Sequence, residues 1–101
     1  MLHVLTSINV NKKMPGISRV NVDSAGGKIL GPGKPNVFVN GAVISIKDDA
    51  VAGHGPGPHA GPVMVGCSGT VFAGGIGVVR ADDAASCGDT ATGSSSVFAG
   101  D

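Results

Sequence analysis

Val-Phe-Val-Asn-Gly at residues 37–41 is one of three copies of the same phrase, which returns as Val-Phe-Ala-Gly-Gly at 71–75 and Val-Phe-Ala-Gly-Asp at 97–101. The chain has only three phenylalanines, and each occupies the second position of a copy. A second phrase, which ends in aspartate, precedes each copy at residues 19–23, 45–49 and 80–83. The repeating unit is therefore predicted to be a short strand, a Gly/Pro-rich loop, a Val-Phe strand and a turn.

Three such units are too few to stack into a long array, so they are predicted to close around an axis. The three phenylalanines are then expected to meet near the middle as a small shared core. A single chain with pseudo-threefold symmetry offers a similar surface to each subunit of a trimer, which indicates a trimeric partner.

The composition agrees with an all-β fold of short strands and tight turns. Of 101 residues, 18 are glycine and 6 are proline, and every acidic residue is aspartate, so long helices are not expected. The net charge is zero and tryptophan and tyrosine are absent, which weighs against nucleic-acid binding. One domain of this size is expected to need a metal, a disulfide or a partner for stability. We interpret residues 1–13, which lack the layout of a signal peptide, as an extension before a domain at residues 14–101.

Several ordered motifs resemble the PAAR repeat. They are Asn36-Val37-Phe38-Val39-Asn40-Gly41, Gly53-His54-Gly55 followed by Pro58-His59-Ala60, and Ala81-Asp82 with Cys87-Gly88 before the last Val-Phe phrase. The resemblance implies a small conical, pseudo-threefold β domain with little or no helix. It implies a structural protein and not an enzyme. One copy would cap a trimeric β-helical spike, which is VgrG in type VI secretion or the central spike of a contractile phage tail, and help to pierce the target envelope.

The resemblance also implies a location and a set of contacts. The protein is expected in a virion tail spike or a secreted injection apparatus after synthesis in the bacterial cytoplasm without a signal peptide. Its expected contacts are the spike and, transiently, the target membrane, with no nucleic acid and no small-molecule substrate.

His54, His59 and Cys87 are the predicted metal ligands. The two histidines lie five residues apart in a Gly/Pro-rich loop. From spacing alone, surface loop residues fit equally well, and the family resemblance favours a metal. Imidazole and thiolate together suit zinc in a closed four-coordinate site, with iron as the alternative.

The fourth ligand is open at this point. PAAR proteins often carry histidine before a Gly-Gly pair and two residues after the cysteine, and these places hold Ala25 and Asp89. Asp89 is the candidate for the fourth ligand, and its alternative interpretation is an ordinary turn residue. Cys67, His3 or a water molecule are the other candidates. A Cys67–Cys87 disulfide would exclude Cys87 as a ligand.

Two other functions remain as alternatives. The chain could be a free-standing metal-binding or adhesin-like β module, which stoichiometry with a trimeric spike would distinguish. A hydrolase built on Cys87 and His54 has no support beyond the residue types. The aspartate pairs at 48–49 and 82–83 are predicted to be turn residues that bond the backbone rather than acid–base catalysts.

Overall fold

Short antiparallel strands make up the regular structure of residues 14–100, the part of the chain that the computed structural model describes. The strands are β1 (Ser24–Ala25), β2 (Gly27–Gly31), β3 (Lys34–Val39), β4 (Ala42–Ile44), β5 (Ala50–Val51), β6 (Phe72–Ala73) and β7 (Ile76–Gly77). They pair as β1-β2-β5, β3-β4 and β6-β7. Within these residues the single helical element is a 3₁₀ turn at Gly57–His59. The predicted all-β class is confirmed. The described residues contain no helix that is both long and apolar enough to cross a bilayer.

Three backbone hydrogen bonds form a closed ring that marks a pseudo-threefold axis. The N–H of Ser18 donates to the carbonyl of Val79 at 2.9 Å, the N–H of Val79 donates to Ser45 at 2.9 Å, and the N–H of Ser45 donates to Ser18 at 3.0 Å. All three residues are fully buried. Isolated antiparallel bridges repeat the same cycle beside the ring, joining Ile17 to Arg80, Ile44 to Arg19 and Val78 to Ile46. The three sequence repeats therefore close around an axis, as predicted.

The phrase that ends in aspartate forms a similar turn in every unit. One residue in each turn has a left-handed backbone, with φ of 64° at Asn21, 74° at Asp48 and 73° at Asp82. In each unit the final carboxylate accepts a backbone N–H from the start of the phrase, in the pairs Arg19–Asp23, Ile46–Asp49 and Arg80–Asp83. Asparagine and aspartate tolerate left-handed backbone and bond local N–H groups, which explains why these residue types recur here.

Asp23 is held in an ion pair as well as in the turn. Its Oδ2 atom lies 2.8 Å from Arg19 Nε, and its Oδ1 atom accepts a hydrogen bond of 2.8 Å from the Thr92 hydroxyl. Burial by itself would raise the pKa of the Asp23 carboxyl, but the hydrogen bonds from Arg19 and Thr92 outweigh burial and leave that pKa below its ordinary value. The charged form of Asp23 therefore stabilises the folded state.

The phenylalanines of the repeat face solvent, so the expectation that they form a shared core is wrong. Phe38, Phe72 and Phe98 are 60%, 56% and 40% exposed. Side chains alternate along a strand, and here the neighbours of each phenylalanine turn inward instead. The residues at 39, 73 and 99 are buried, and those at 37, 71 and 97 pack against the same core. The interior is filled by smaller aliphatic side chains, which include Ile17, Ile44 and Val78.

The first and last described segments complete the third unit together. β3-β4 and β6-β7 are hairpins that turn through Asn40-Gly41 and Gly74-Gly75, and both residues of each turn are left-handed, as tight hairpins require. In the third unit Phe98 lies opposite Gly16, and the N–H of Ile17 donates to the Val97 carbonyl at 2.9 Å. The circle of three units is thus closed by segments that are far apart in sequence.

Two hydrophobic clusters form the core. The Val-Phe cluster contains Ile17, Val39, Ile44, Ile46, Ala73, Val78 and Ala99. The Cys87 cluster contains Ala25, Ile29, Val51, Met64, Val79, Ala85 and Ala91, with Cys87 packed against it. Val78 and Val79 are consecutive, so the chain passes directly from one cluster to the other. Each exposed phenylalanine lies in sequence between a valine that packs against the first cluster and a residue that belongs to it. Cys87, a candidate metal ligand, packs against the second cluster.

Candidate metal centre

The loop at residues 53–61 carries both candidate histidines. The N–H of His54 donates to the carbonyl of His59 at 2.8 Å and closes the loop around the 3₁₀ turn. Pro56 and Pro58 have restricted φ angles and no N–H to donate, which favours this irregular path over a strand. The two imidazole rings meet edge to face, with centroids 4.9 Å apart.

A tight turn at residues 85–89 places the other two candidate ligands beside the histidines. The N–H of Gly88 donates to the Ala85 carbonyl at 2.9 Å, and the N–H of Ala85 donates to the Asp89 carbonyl at 2.8 Å. Gly88 has φ of 94°, in the left-handed region that glycine enters without strain. The turn brings Cys87 Sγ to 3.5 Å from Asp89 Oδ2.

The structure brings all four candidate ligands together. One ligand atom each from His54, His59, Cys87 and Asp89 lies within 4.8 Å of the others. His54 Nε2 is 2.8 Å from Asp89 Oδ2, 3.0 Å from His59 Nδ1 and 3.8 Å from Cys87 Sγ. Tetrahedral zinc, with bonds of about 2.0–2.3 Å, separates its ligand atoms by roughly 3.3–3.8 Å, so small side-chain movements would let these four atoms share one ion.

A backbone carbonyl orients His54 toward the cluster. His54 Nδ1 lies 3.0 Å from the Ala52 carbonyl oxygen, to which it donates, and Nε2 then faces the other ligand atoms. An outer partner of this kind typically orients a metal-bound histidine. The hydrogen bond to Ala52, followed by the contact with Asp89, raises the pKa of His54 above its ordinary value. The hydrogen bond with His54, followed by that with Cys87, lowers the pKa of Asp89.

A proton and a metal ion would compete for the Nε2 atom of His54. With Nδ1–H bonded to Ala52, the short contact between His54 Nε2 and the Asp89 carboxylate is favourable when Nε2 also carries a proton. A metal ion bound at Nε2 would take the place of that proton. Metal binding is therefore expected to release protons.

Ala25, which stands where PAAR proteins often carry histidine, offers no ligand atom and is fully buried in the Cys87 cluster. Cys67, another candidate for the fourth ligand, is not part of the group of four ligand atoms. Cys67 Sγ packs against Gly77 of β7, where a Cβ on the glycine would lie closer than 3.0 Å to it. Both cysteines are free thiols, so the Cys67–Cys87 disulfide is not formed. His3, like the rest of the predicted extension at residues 1–13, lies outside the described residues.

Compared with the sequence profiles of known families, residues 21–92 match the PAAR motif. The chain belongs to the PAAR-motif family. No curated protein is significantly similar to it in sequence.

The members of the PAAR family are structural spike-tip proteins and not enzymes. This chain departs from the usual PAAR pattern at the metal cluster. Ala25 and Asp89 stand where family members often carry histidine. The carboxylate of Asp89 reaches the cluster, whereas the methyl group of Ala25 does not. Metal binding in the PAAR family is consistent with the donor set found here, which has two imidazoles, one thiol and one carboxylate.

The contact between Gly26 and the ligand atoms was not predicted from the sequence. A Cβ built on Gly26 would lie closer than 3.0 Å to both Asp89 Oδ2 and His54 Nε2, so the backbone of this glycine lies directly against the ligand atoms. The Gly26-Gly27 pair was visible as a motif, but its contact with residues 54 and 89 exists only after folding.

Proposed function

We propose that this protein is the tip of a contractile injection machine. One copy caps the blunt end of a trimeric β-helical spike, which is a VgrG-like trimer or the central spike of a phage tail, and sharpens it for passage through a target envelope. In this proposal the protein is made in the bacterial cytoplasm and acts in a virion tail or a secreted apparatus, where its contact with the target membrane is transient.

The observation that carries the proposal is the symmetric exposure of the three phenylalanines. Phe38, Phe72 and Phe98 occupy equivalent positions in the three units, each in an antiparallel pair, and both sequence neighbours of each one belong to the Val-Phe cluster or pack against it. Exposed aromatic side chains in a regular arrangement are characteristic of a protein interface. A trimer with true threefold symmetry can place one identical acceptor surface against each of them.

Hydrogen bonds beside these strands support a pre-formed face. Ser68 Oγ accepts the N–H groups of the residues at 70 and 71 and donates to the Gly100 carbonyl of the next unit at 2.6 Å. Ser94 Oγ accepts the N–H groups of the residues at 96 and 97 and donates to Asn40 Oδ1 at 2.6 Å. Each serine therefore shapes its own turn and links it to a neighbouring unit. A face held in this way loses little conformational entropy on docking.

The proposed role of the metal is structural. Zinc, in preference to iron, would be held by His54, His59, Cys87 and Asp89, and it would join the loop at 53–61 to the turn at 85–89. A thiolate and a carboxylate together balance the two positive charges of the ion. Bound zinc would supply a closed coordination site that stabilises these loops, which a small hydrophobic core does poorly by packing alone.

The test is the stoichiometry of the complex with a trimeric β-helical spike protein from the same source. The two proteins are mixed with the tip in excess, and the complex is sized by chromatography with light scattering. One tip per three spike chains is the expected result. The absence of a complex, or three tips per trimer, would contradict the proposal, and the absence of a complex would favour the free-standing metal-binding or adhesin-like module.

A further inference from the structure

Gly26 occupies a place in the metal cluster that no side chain can share. Its φ is 84°, and a Cβ built on it would come closer than 3.0 Å to Asp89 Oδ2, to Asp89 Cγ and to His54 Nε2. The Cβ position therefore falls among the ligand atoms themselves. The backbone at this residue forms one wall of the cluster.

We propose that Gly26 is a positioning residue of the metal centre. Its missing side chain leaves room for the ion together with the carboxylate of Asp89 and the imidazole of His54, and its backbone covers the centre on that side. This inference rests on the metal centre proposed above and adds a specific requirement to it. Residue 26 must be glycine for the bound metal, and not chiefly for the fold.

The nature of the obstacles supports this distinction. The atoms that a methyl group at residue 26 would meet belong to two side chains that are 19% and 41% exposed, those of His54 and Asp89. In the metal-free protein both can rotate toward solvent and make room. A bound ion fixes both ligand atoms in place. A methyl group at residue 26 therefore disfavours the metal-bound state selectively.

Gly27, the next residue, differs because its nearest obstacle is a backbone atom. A Cβ built on Gly27 would come closer than 3.0 Å to Nδ1 of His54 and closer still to the carbonyl oxygen of Ala52. This oxygen is part of the backbone, and the N–H of Ala52 is itself bonded to the Lys28 carbonyl at 2.8 Å, so it cannot move aside. Alanine at residue 27 should destabilise the folded protein whether or not metal is present.

Alanine substitutions at two other glycines measure the effect of left-handed backbone without a steric clash. Gly88 has φ of 94° and Gly75 has φ of 83°, and a Cβ on either would meet nothing within 4 Å. Alanine at these positions carries the same conformational strain as alanine at Gly26 without a steric clash. Gly88 also lies between the ligands Cys87 and Asp89, so it controls for a change inside the ligand turn.

The experiment compares Gly26→Ala with Gly27→Ala, Gly75→Ala and Gly88→Ala. Each protein is freed of metal with a chelator, and its zinc affinity is measured by competition with a chromophoric chelator, with thermal melting in EDTA and in excess zinc. For Gly26→Ala we expect a loss of zinc affinity of about 10- to 100-fold or more, the range found when groups around metal ligands are disturbed. Its melting temperature in EDTA should match those of Gly75→Ala and Gly88→Ala. Gly27→Ala should melt lower in both conditions.

Several outcomes would overturn the inference. One is a zinc affinity for Gly26→Ala equal to that of Gly75→Ala, whose glycine lies outside the metal cluster, and another is a melting temperature in EDTA well below that of Gly75→Ala. A third is a Gly26→Ala protein that does not fold in EDTA although Gly75→Ala does, because residue 26 would then be required for the fold and not for the metal. A wild-type protein that binds no zinc rejects the metal centre itself, which is a separate result from a metal-binding protein that is indifferent to residue 26.

Discussion

Replacing Phe38 by alanine should weaken binding to the trimeric spike and leave the fold intact. Phe38 is 60% exposed, and a phenylalanine side chain can bury about 150–250 Å², so on the order of 100 Å² of it remains to be covered by a partner. At about 25 cal/mol per Å², covering this area contributes up to ~2.5 kcal/mol. That energy corresponds to a dissociation constant raised by about 10- to 100-fold in Phe38→Ala, depending on how completely the partner covers the ring.

The assay measures the dissociation constant of the complex between the spike trimer and each tip variant. It uses calorimetric titration with both proteins in solution, or interferometry with the spike trimer immobilised. Leu30→Ala is the matched control, because Leu30 is also half exposed but lies on β2, beside a residue of the Cys87 cluster. It should bind with nearly wild-type affinity. Equal weakening by both substitutions, or wild-type binding by Phe38→Ala, would refute the assignment of the phenylalanine face. Thermal melting of Phe38→Ala should change little, because surface substitutions usually alter stability by less than about 0.5 kcal/mol.

Three further predictions concern the metal and the buried carboxylate. Elemental analysis of the wild-type protein should find one equivalent of zinc, and His54→Ala combined with His59→Ala should abolish it and lower the melting temperature to that of wild type in EDTA. A variant that keeps its zinc would contradict the ligand assignment. Asp89→His should keep zinc, because imidazole can replace the carboxylate at this partly exposed position, whereas Asp89→Ala should bind about 10- to 100-fold more weakly in chelator competition. Because the pKa of Asp23 is lowered by folding, the stability that it contributes is complete above its unfolded pKa of about 3.9 and is lost as pH falls through its lower folded pKa. Asp23→Asn should therefore flatten the decline of melting temperature in acid, and an unchanged acid limb would count against this ion pair.

Local features of the chain were predictable from the sequence. The turn-forming aspartates recur at equivalent places because short-range backbone bonding selects them, and the structure has them in that role. The three Val-Phe phrases indicated three units around an axis, and the ring through Ser18, Ser45 and Val79 is that closure. The metal ligands were proposed from residue type and family resemblance, and the structure groups all four.

The direction of the phenylalanines depended on the tertiary structure. In Val-Phe-Val or Val-Phe-Ala every residue is apolar, so the period of two that defines a strand does not say which side chains face the core. The folded chain buries the smaller residues at 39, 73 and 99 and leaves the rings outside. The general rule that large apolar residues are usually buried predicted the reverse.

Contacts between distant segments were also invisible in the sequence. The sequence alone determined the all-β class and the three units, because these follow from local conformational preference; the candidate ligands were predicted from residue type together with the family resemblance. The tertiary structure alone decided that Gly26 lies against His54 and Asp89, that Cys67 packs against Gly77 and is not bonded to Cys87, and that residues 15–17 complete the last unit. The physical reason is that these contacts join segments separated by tens of residues, and only the closure of the ring brings them together.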